Sequence, residues 1–511
     1  MTSPNKTYYI TTPLYYVNDV PHIGHAYTTI LCDSFARFNR FIGNDVFFLT
    51  GTDEHGEKIA NTAASLNKTP QDHVNTVVER FIDTWKLLGI SYDDFIRTTE
   101  LRHKEVVNDC VKKLIDSGDI YQNSYEGWYC VPCESFWAES NLKEGNCPDC
   151  GREVRRIEEK NYFFRLSKYQ EWLIQYIEDN PDFILPKGKK SEVVSFLKEP
   201  LADLCISRPK ERLHWGIPFP GDDDFVLYVW FDALLNYVSA VGYGKTEDFY
   251  NKWPADIHMM AKDILRQHAI YWPIMLKALN IEMPKHVLAH GWWTIAGDKM
   301  SKSRGNVVDP NNMSDLYGVD TFRYFMLREA RLGSDGNYSE NLLIERLNND
   351  LANDLGNLVH RSIAMMVKYF GGKVPEVDRS SIDFPIKKTA LDVLPLMEKA
   401  INEQFDTRGA LCAVWDLIEA ANKFIEDEKP WTLAKDETKN GELKKVMYTL
   451  MESIRFIGVL LIPFLPETAD KIMKLLKTES KDSDGVKVWG ILEAGTILEK
   501  GEPLFQKIVE E

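Results

Sequence analysis

The strongest constraint on the fold is an alternation of extended apolar runs with amphipathic helical stretches, each run ending on a short polar motif. Tyr8, Tyr9 and Ile10 lead toward His22-Ile23-Gly24-His25, which opens a helical pattern bearing Ile30, Leu31, Phe35 and Phe38. Val46-Phe47-Phe48-Leu49 ends at Gly51-Thr52-Asp53-Glu54-His55-Gly56. Val226 to Trp230 and Ile257 to Met260 read as strands of the second half of the same sheet. Val287 to Ala289 then leads into a polar loop holding Lys299-Met300-Ser301-Lys302-Ser303. Such alternation predicts an α/β fold with a doubly wound parallel sheet. Ligands bind outside the carboxyl ends of the strands in these sheets, and the two-histidine motif and Asp53 both fall at such ends.

The alternation is interrupted and then stops. Residues 1–115 read as the first half of a nucleotide-binding domain, 116–225 as an insert carrying paired cysteines, and 226–310 as the second half with the lysine loop. After a linker over 311–345, residues 346–511 carry long helical patterns. Leu351, Leu355, Leu358, Val359 and Ile363 recur at helical spacing, as do Leu411, Val414, Trp415, Ile418 and Ala421. Phe370-Gly371-Gly372 reads as the end of one of these helices. No apolar stretch is long enough to span a membrane, and the start MTSPNKTYYI lacks the features of a secretion signal. A cytoplasmic protein is expected. The net charge of −16 argues against nucleic-acid binding as a whole-chain average, so any such contact must rest on local patches, with Arg304 and the Lys187, Lys189, Lys190 cluster as candidates.

Four of the eight cysteines form two tight pairs, Cys130-Val131-Pro132-Cys133 and Cys147-Pro148-Asp149-Cys150, thirteen residues apart. Two such knuckles predict a closed, structural tetrahedral zinc site in preference to a redox pair. His22 and His25, three apart at a helix start, are candidates for contacting triphosphate oxygens, with two capping histidines as the alternative. Gly24 leaves room for a flat base or ribose against the backbone. Lys299 and Lys302 can close over a pyrophosphate leaving group, or form an ordinary exposed loop. The Trp230-to-Tyr237 segment reads as a pocket for an apolar side chain, with Phe231 and Leu235 as core. Trp431, after Pro430 in a charged stretch, reads as exposed and able to stack on a base.

Taken together, these motifs resemble the class I aminoacyl-tRNA synthetases, and within them the methionyl-tRNA synthetase family in its single-zinc form. Thr12-Pro13-Leu14-Tyr15-Tyr16, the Gly51-to-Gly56 turn, Tyr228 to Tyr237 and Lys262-Asp263-Ile264 carry the match, which runs from about residue 7 to about 508. The resemblance implies a Rossmann-like catalytic domain with a zinc-knuckle insert and an all-α anticodon-binding bundle. It implies formation of methionyl-adenylate from methionine and ATP with Mg2+, then transfer of methionine to the terminal adenosine of tRNA(Met), initiator tRNA included. By resemblance His22, Gly24, His25, Asp263, Lys299 and Lys302 bind ATP. His22, His25, Lys299 and Lys302 assist the chemistry. Leu14, Tyr16, Asp53, Trp230, Ala233, Leu234, Tyr237, Ile264 and His268 bind methionine, with Asp53 on its ammonium. Asn357, Arg361 and Trp431 read the anticodon, and Cys130, Cys133, Cys147 and Cys150 hold Zn2+.

The insert, about 110 residues long, is too short for the large editing domain of the isoleucyl, valyl and leucyl relatives. Nothing follows Pro503-Leu504-Phe505 that reads as the oligonucleotide-binding appendage of longer members, which favours a monomer. Two other classes remain as alternatives, a small-molecule nucleotidyltransferase and a non-catalytic tRNA-binding module derived from a synthetase. The first needs neither the zinc insert nor the helical bundle, and the second needs neither the histidines nor the lysines.

Overall fold

The computed structural model describes residues 7–508 apart from 19, 132, 134, 138, 149, 296–297 and 300–307, so Lys302 and Arg304 lie outside the described residues. The chain forms two compact units. The first gathers Met1–Pro21, Phe47–Lys86 and Tyr92–Gly291, and the second His22–Val46, Leu87–Ser91 and Trp292–Glu511.

A parallel sheet organises the first unit. Its strands run in the order Tyr15–Tyr16, Val46–Asp53, Tyr8–Thr11, Ile257–Ala261, His286–His290 and Ile184–Leu185, with Asp94–Arg97 also paired to Val46–Asp53. Tyr8–Thr11 and Ile257–Ala261 are neighbours although about 250 residues separate them, with Ile10 opposite Ile257 and Thr11 opposite His258. The Val46–Asp53 strand is buried at every residue but Phe47, and it opens on the apolar run Val46–Leu49 rather than on an alternating pattern because both faces are covered. It continues through Gly51 to Asp53. Gly51 is required there because a Cβ would lie 2.0 Å from the Ile96 carbonyl oxygen of the neighbouring strand.

Within 116–225, four strands form a separate antiparallel sheet in the order Ser135–Trp137, Ile120–Cys130, Arg155–Phe164 and Leu204–Cys205. The same stretch also returns Ile184–Leu185 to the edge of the parallel sheet, against His286–His290. The strand expected over Val226–Trp230 is shorter and lies elsewhere. Phe225–Leu227 pairs antiparallel with Ser207–Pro209, outside the parallel sheet, and a helix begins at Val229. An apolar run marks a buried strand but does not specify its partner, which here is set by the nearby Ser207–Pro209 segment.

The second unit is mainly helical. Helix Ile23–Phe41 belongs to it, as do Val319–Glu329, Asn357–Phe370, Pro385–Glu398, Thr407–Glu428, Asn440–Leu460 and Pro466–Leu476. Leu411, Val414, Ile418 and Ala421 are buried at the expected helical spacing, and Trp415 packs on Tyr324 with ring centroids 4.5 Å apart. The helix Asn357–Phe370 ends at Gly371 as the sequence predicts. Among the described residues, no helix is long and apolar enough to cross a membrane.

Candidate functional site

In the first unit, most residues expected to meet methionine gather at the carboxyl ends of the parallel strands. Tyr16 and Asp53 are register partners on adjacent strands, and Val17 donates its N–H to the Asp53 carbonyl at 3.2 Å. Leu14, Trp230 and Ile264 are half-buried against the core that holds Leu234 and Tyr237. Helix Val229–Leu234 delivers Trp230, Ala233 and Leu234, and the tight turn Lys262–Ile264 follows the Ile257–Ala261 strand. Asp263 is exposed on that turn. His268 sits in a π-helical turn, Gln267–Tyr271, where the widened backbone re-aims a side chain.

His268 and Tyr237 form one polar unit. The His268 Nδ1 lies 2.9 Å from the Ile264 carbonyl and can only donate to it, so Nε2 accepts from the Tyr237 hydroxyl at 2.7 Å. Burial pushes the His268 pKa down to about 4, against the opposing pull of the Ile264 carbonyl, so the ring is neutral. Behind Tyr237, with ring centroids 4.2 Å apart, His258 is held between Thr11 Oγ1 at 2.8 Å and Trp272 Nε1 at 3.2 Å. The result is an aromatic, uncharged wall, which suits a soft thioether.

The second unit holds the histidine motif. His22 is the N-cap of helix Ile23–Phe41, and its Nδ1 accepts the Gly24 N–H at 3.1 Å. His25 completes a capping box by accepting the His22 N–H through Nδ1 at 3.4 Å. The capping alternative therefore holds, and it has a chemical consequence. With Nδ1 accepting, each neutral ring carries its proton on Nε2, which makes the pair donors at a helix N-terminus. Their rings stack 3.7 Å apart, and burial, then His22, depress the pKa of His25 well below the usual imidazole range. Gly24 also makes room within the motif: a Cβ there would stand 2.9 Å from His22 Cε1, so the missing side chain admits the His22 ring.

The lysine segment departs from a hairpin of Trp293–Ile295 against Asp298–Lys299, in which Thr294 pairs with Lys299. Trp293 packs on Tyr27 of the histidine helix at 5.6 Å, and the Val308 carbonyl accepts the Ile23 N–H at 3.1 Å. Val308 thus lies at the start of that helix, and Trp293 packs beside its first turns.

Cys130, Cys133, Cys147 and Cys150 bring their sulfurs within 4.8 Å of one another. Two of the separations are 3.5 Å, Cys130 to Cys150, and 3.9 Å, Cys133 to Cys147. Four thiolates about 2.3 Å from one tetrahedral ion stand about 3.8 Å apart, so the set fits a metal ion. The hydrophobic support around it is small: Val154, Trp128, Trp137 and Leu142. A core this slight needs a further link.

In the helical unit, Asn357 and Arg361 lie on helix Asn357–Phe370, and Trp431 on the short helix Pro430–Leu433. The structure brings Arg361 and Trp431 together, with the guanidinium 5.3 Å from the ring centroid. Arg361 also pairs with Glu426 at 2.8 Å. Trp431 is half-buried rather than exposed, because Arg361 covers part of its ring. Of the lysine cluster, Lys189 pairs with Glu192 at 2.5 Å and Lys190 donates to the Ile177 carbonyl at 2.8 Å, so both are engaged within their own unit.

Sequence reasoning missed a buried network of His55, His103 and Asp232. His55 and Asp232 stand inside motifs that were legible, yet no spacing pairs either with the other or with His103.

The parallel sheet of the first unit, and in the second the histidine-capped helix and the helical bundle, are the parts of a class I aminoacyl-tRNA synthetase fold. A family model described as "tRNA synthetases class I (M)" matches residues 8–158 and 153–363, and one for the anticodon binding domain of methionyl tRNA ligase matches 393–511. The methionine-tRNA ligase of Clostridium acetobutylicum is 49% identical over 510 residues, covering 99% of this chain and 79% of its own. That of Thermotoga maritima is 44% identical over 508 residues, 98% of this chain and 80% of its own. The crystal structure of Mycobacterium tuberculosis methionyl-tRNA synthetase bound by methionyl-adenylate superposes with a TM-score of 0.93 at 40% identity, covering 98% of this chain and 100% of that one. The chain belongs to the methionyl-tRNA synthetase family, whose members are ATP-dependent aminoacyl-tRNA ligases.

Proposed function

We propose that the chain activates methionine with ATP and transfers it to tRNA(Met), with the residue roles that follow. The methionine carboxylate attacks the α-phosphate, the bond to the β-phosphate breaks, and methionyl-adenylate and pyrophosphate result. A hydroxyl of the terminal adenosine then displaces AMP. No covalent bond to the protein forms, so the protein acts by position and charge.

Asp53 takes the ammonium of methionine, and Leu14, Tyr16, Trp230, Ala233, Leu234, Tyr237, Ile264 and His268 receive its side chain. What supports this most is that Tyr16 and Asp53 are partners at the ends of parallel strands, Ile264 and His268 follow the parallel strand Ile257–Ala261, and the helices after Val229 bring Trp230 and Tyr237 against His268. A neutral His268 fits the role, since a second charge there would oppose an apolar side chain. His22 and His25 donate to phosphate oxygens through Nε2, beside the backbone at Gly24, and Asp263 contributes to nucleotide binding. Lys302, with Lys299, neutralises the charge that grows on the departing pyrophosphate. Magnesium bound with ATP supplies further charge neutralisation. Zinc is the ion that suits the four thiolates, in a structural role with no open position. Asn357, Arg361 and Trp431 read the anticodon.

Methionine-dependent exchange of pyrophosphate into ATP, followed by charging of tRNA(Met), tests this reading. A nucleotidyltransferase or a non-catalytic module gives no methionine-dependent exchange.

A further inference from the structure

The first unit buries one carboxylate between two imidazoles. Asp232 accepts from His55 Nδ1 at 2.6 Å through Oδ2 and from His103 Nε2 at 2.7 Å through Oδ1, and all three side chains are buried. His103 meets Ser239 Oγ through its other nitrogen at 2.8 Å. The surroundings of Asp232 in its own chain segment are apolar, with Phe231, Leu234 and Leu235 buried, so the two ring N–H groups supply the polar partners the carboxylate needs.

What the network joins is informative. His55 stands two residues after Asp53, and Asp232 lies between Trp230 and Ala233. Glu54, between Asp53 and His55, is fastened elsewhere. It takes a two-pronged hydrogen bond from Arg97 at 2.6 and 3.0 Å and another from Thr99 at 2.5 Å. Consecutive residues of this turn are therefore tied to different elements, Glu54 to the Asp94–Arg97 strand and the segment after it, His55 to helix Val229–Leu234. Asp53 is held next to both ties. His103, on helix Leu101–Asp116, holds Asp232 from the far side and is itself held by Ser239.

We infer that Asp232, braced by His103, is a positioning residue for methionine: through His55 it fixes the distance between Asp53 and the side-chain wall formed by Trp230, Ala233 and Leu234. The inference rests on the methionine assignment above. A carboxylate is required because it accepts from both rings at once. An asparagine in its place offers one oxygen and one N–H2, so one imidazole meets a donor and must turn or exchange its proton to the other nitrogen. That release acts on the ammonium site and the side-chain wall together and touches no phosphate contact.

The test is steady-state pyrophosphate exchange by Asp232→Asn and His103→Gln, each beside the wild-type chain, with melting temperatures. Asp232→Asn is expected to raise the KM for methionine at least tenfold while the KM for ATP stays within twofold. His103→Gln, which leaves the His55 bond intact, is expected to raise it about threefold. A role in stability alone lowers the melting temperature and leaves the methionine KM of the folded enzyme unchanged. If Asp232→Asn does not fold, His103→Gln decides. Wild-type protein that exchanges on methionine, with folded variants holding methionine KM within twofold, overturns the inference alone. Wild-type protein that shows no methionine-dependent exchange overturns the functional reading and this inference with it.

Discussion

At the scale of single residues, two small features carry measurable consequences. Gly24 admits the His22 ring, and an added Cβ would stand 2.9 Å from Cε1 and 3.1 Å from Nδ1. Gly24→Ala should therefore displace the ring and slow adenylate formation by about ten- to a hundredfold, the scale expected when a catalytic group moves by about 1 Å. Alanine is the better helix former by about 1 kcal/mol, but the displaced ring is the helix N-cap and its lost bond costs about as much, so the melting temperature should change little. Exchange assays and thermal scans on this variant check both halves. His268 gives a pH signature. Burial holds its folded pKa at about 4, below the ordinary imidazole value. As pH falls, the unfolded chain takes up its proton first, so this contribution is full above about pH 6.5 and is lost between about 6.5 and 4, on the order of 3 kcal/mol in total. His268→Gln should accordingly show a shallower fall in melting temperature from pH 7 to pH 5 than the wild type. The histidine motif was legible because a helix start, two imidazoles and a glycine are adjacent in sequence. The tautomers were not, since they depend on which backbone N–H each ring accepts.

At the scale of elements, the cysteine knuckle and the anticodon helices can each be tested apart from the sheet. The knuckle packs around little more than Val154, Trp128, Trp137 and Leu142. Elemental analysis should find one zinc per chain, and exhaustive chelation should open residues 130–150 to proteolysis while untreated protein resists. In the bundle, Trp431 shares its ring with Arg361. Base stacking is worth about 1–3 kcal/mol, so Trp431→Ala should cut tRNA charging by about ten- to a hundredfold. Pyrophosphate exchange should stay near normal, and parallel loss of both activities with a lower melting temperature would identify Trp431 as packing only. Periodicity foretold the helices well, because a 3.6-residue repeat of Leu411, Val414, Trp415 and Ile418 has few other folded uses. It misjudged Val226–Trp230, whose apolar run is shared between a short antiparallel strand and the start of a helix.

At the scale of the whole molecule, segments far apart in sequence are joined by buried polar groups. Within the second unit, Arg323 donates to Asp33 at 2.7 Å, to the Phe464 carbonyl at 2.9 Å and to the Leu88 carbonyl at 3.3 Å, so one side chain links the histidine helix, the 87–91 segment and the bundle. Both partners of the ion pair are fully buried. Arg323→Met should cost about 3–5 kcal/mol, because Asp33 stays buried with less compensation, and thermal unfolding of the variant would register it. The amino-acid sequence by itself determined the class of the fold, the cysteine set, the histidine and lysine motifs and the helical second half, all of which rest on local spacing or adjacent residues. Only the tertiary structure decided that the histidine helix belongs to the helical unit, that Ile184–Leu185 joins the parallel sheet, and that His55, His103 and Asp232 share one buried site. The physical reason is common to all three: burial and hydrogen bonding pair groups by distance in space, and residues 48 and 129 positions apart leave no periodic trace of the carboxylate they meet on.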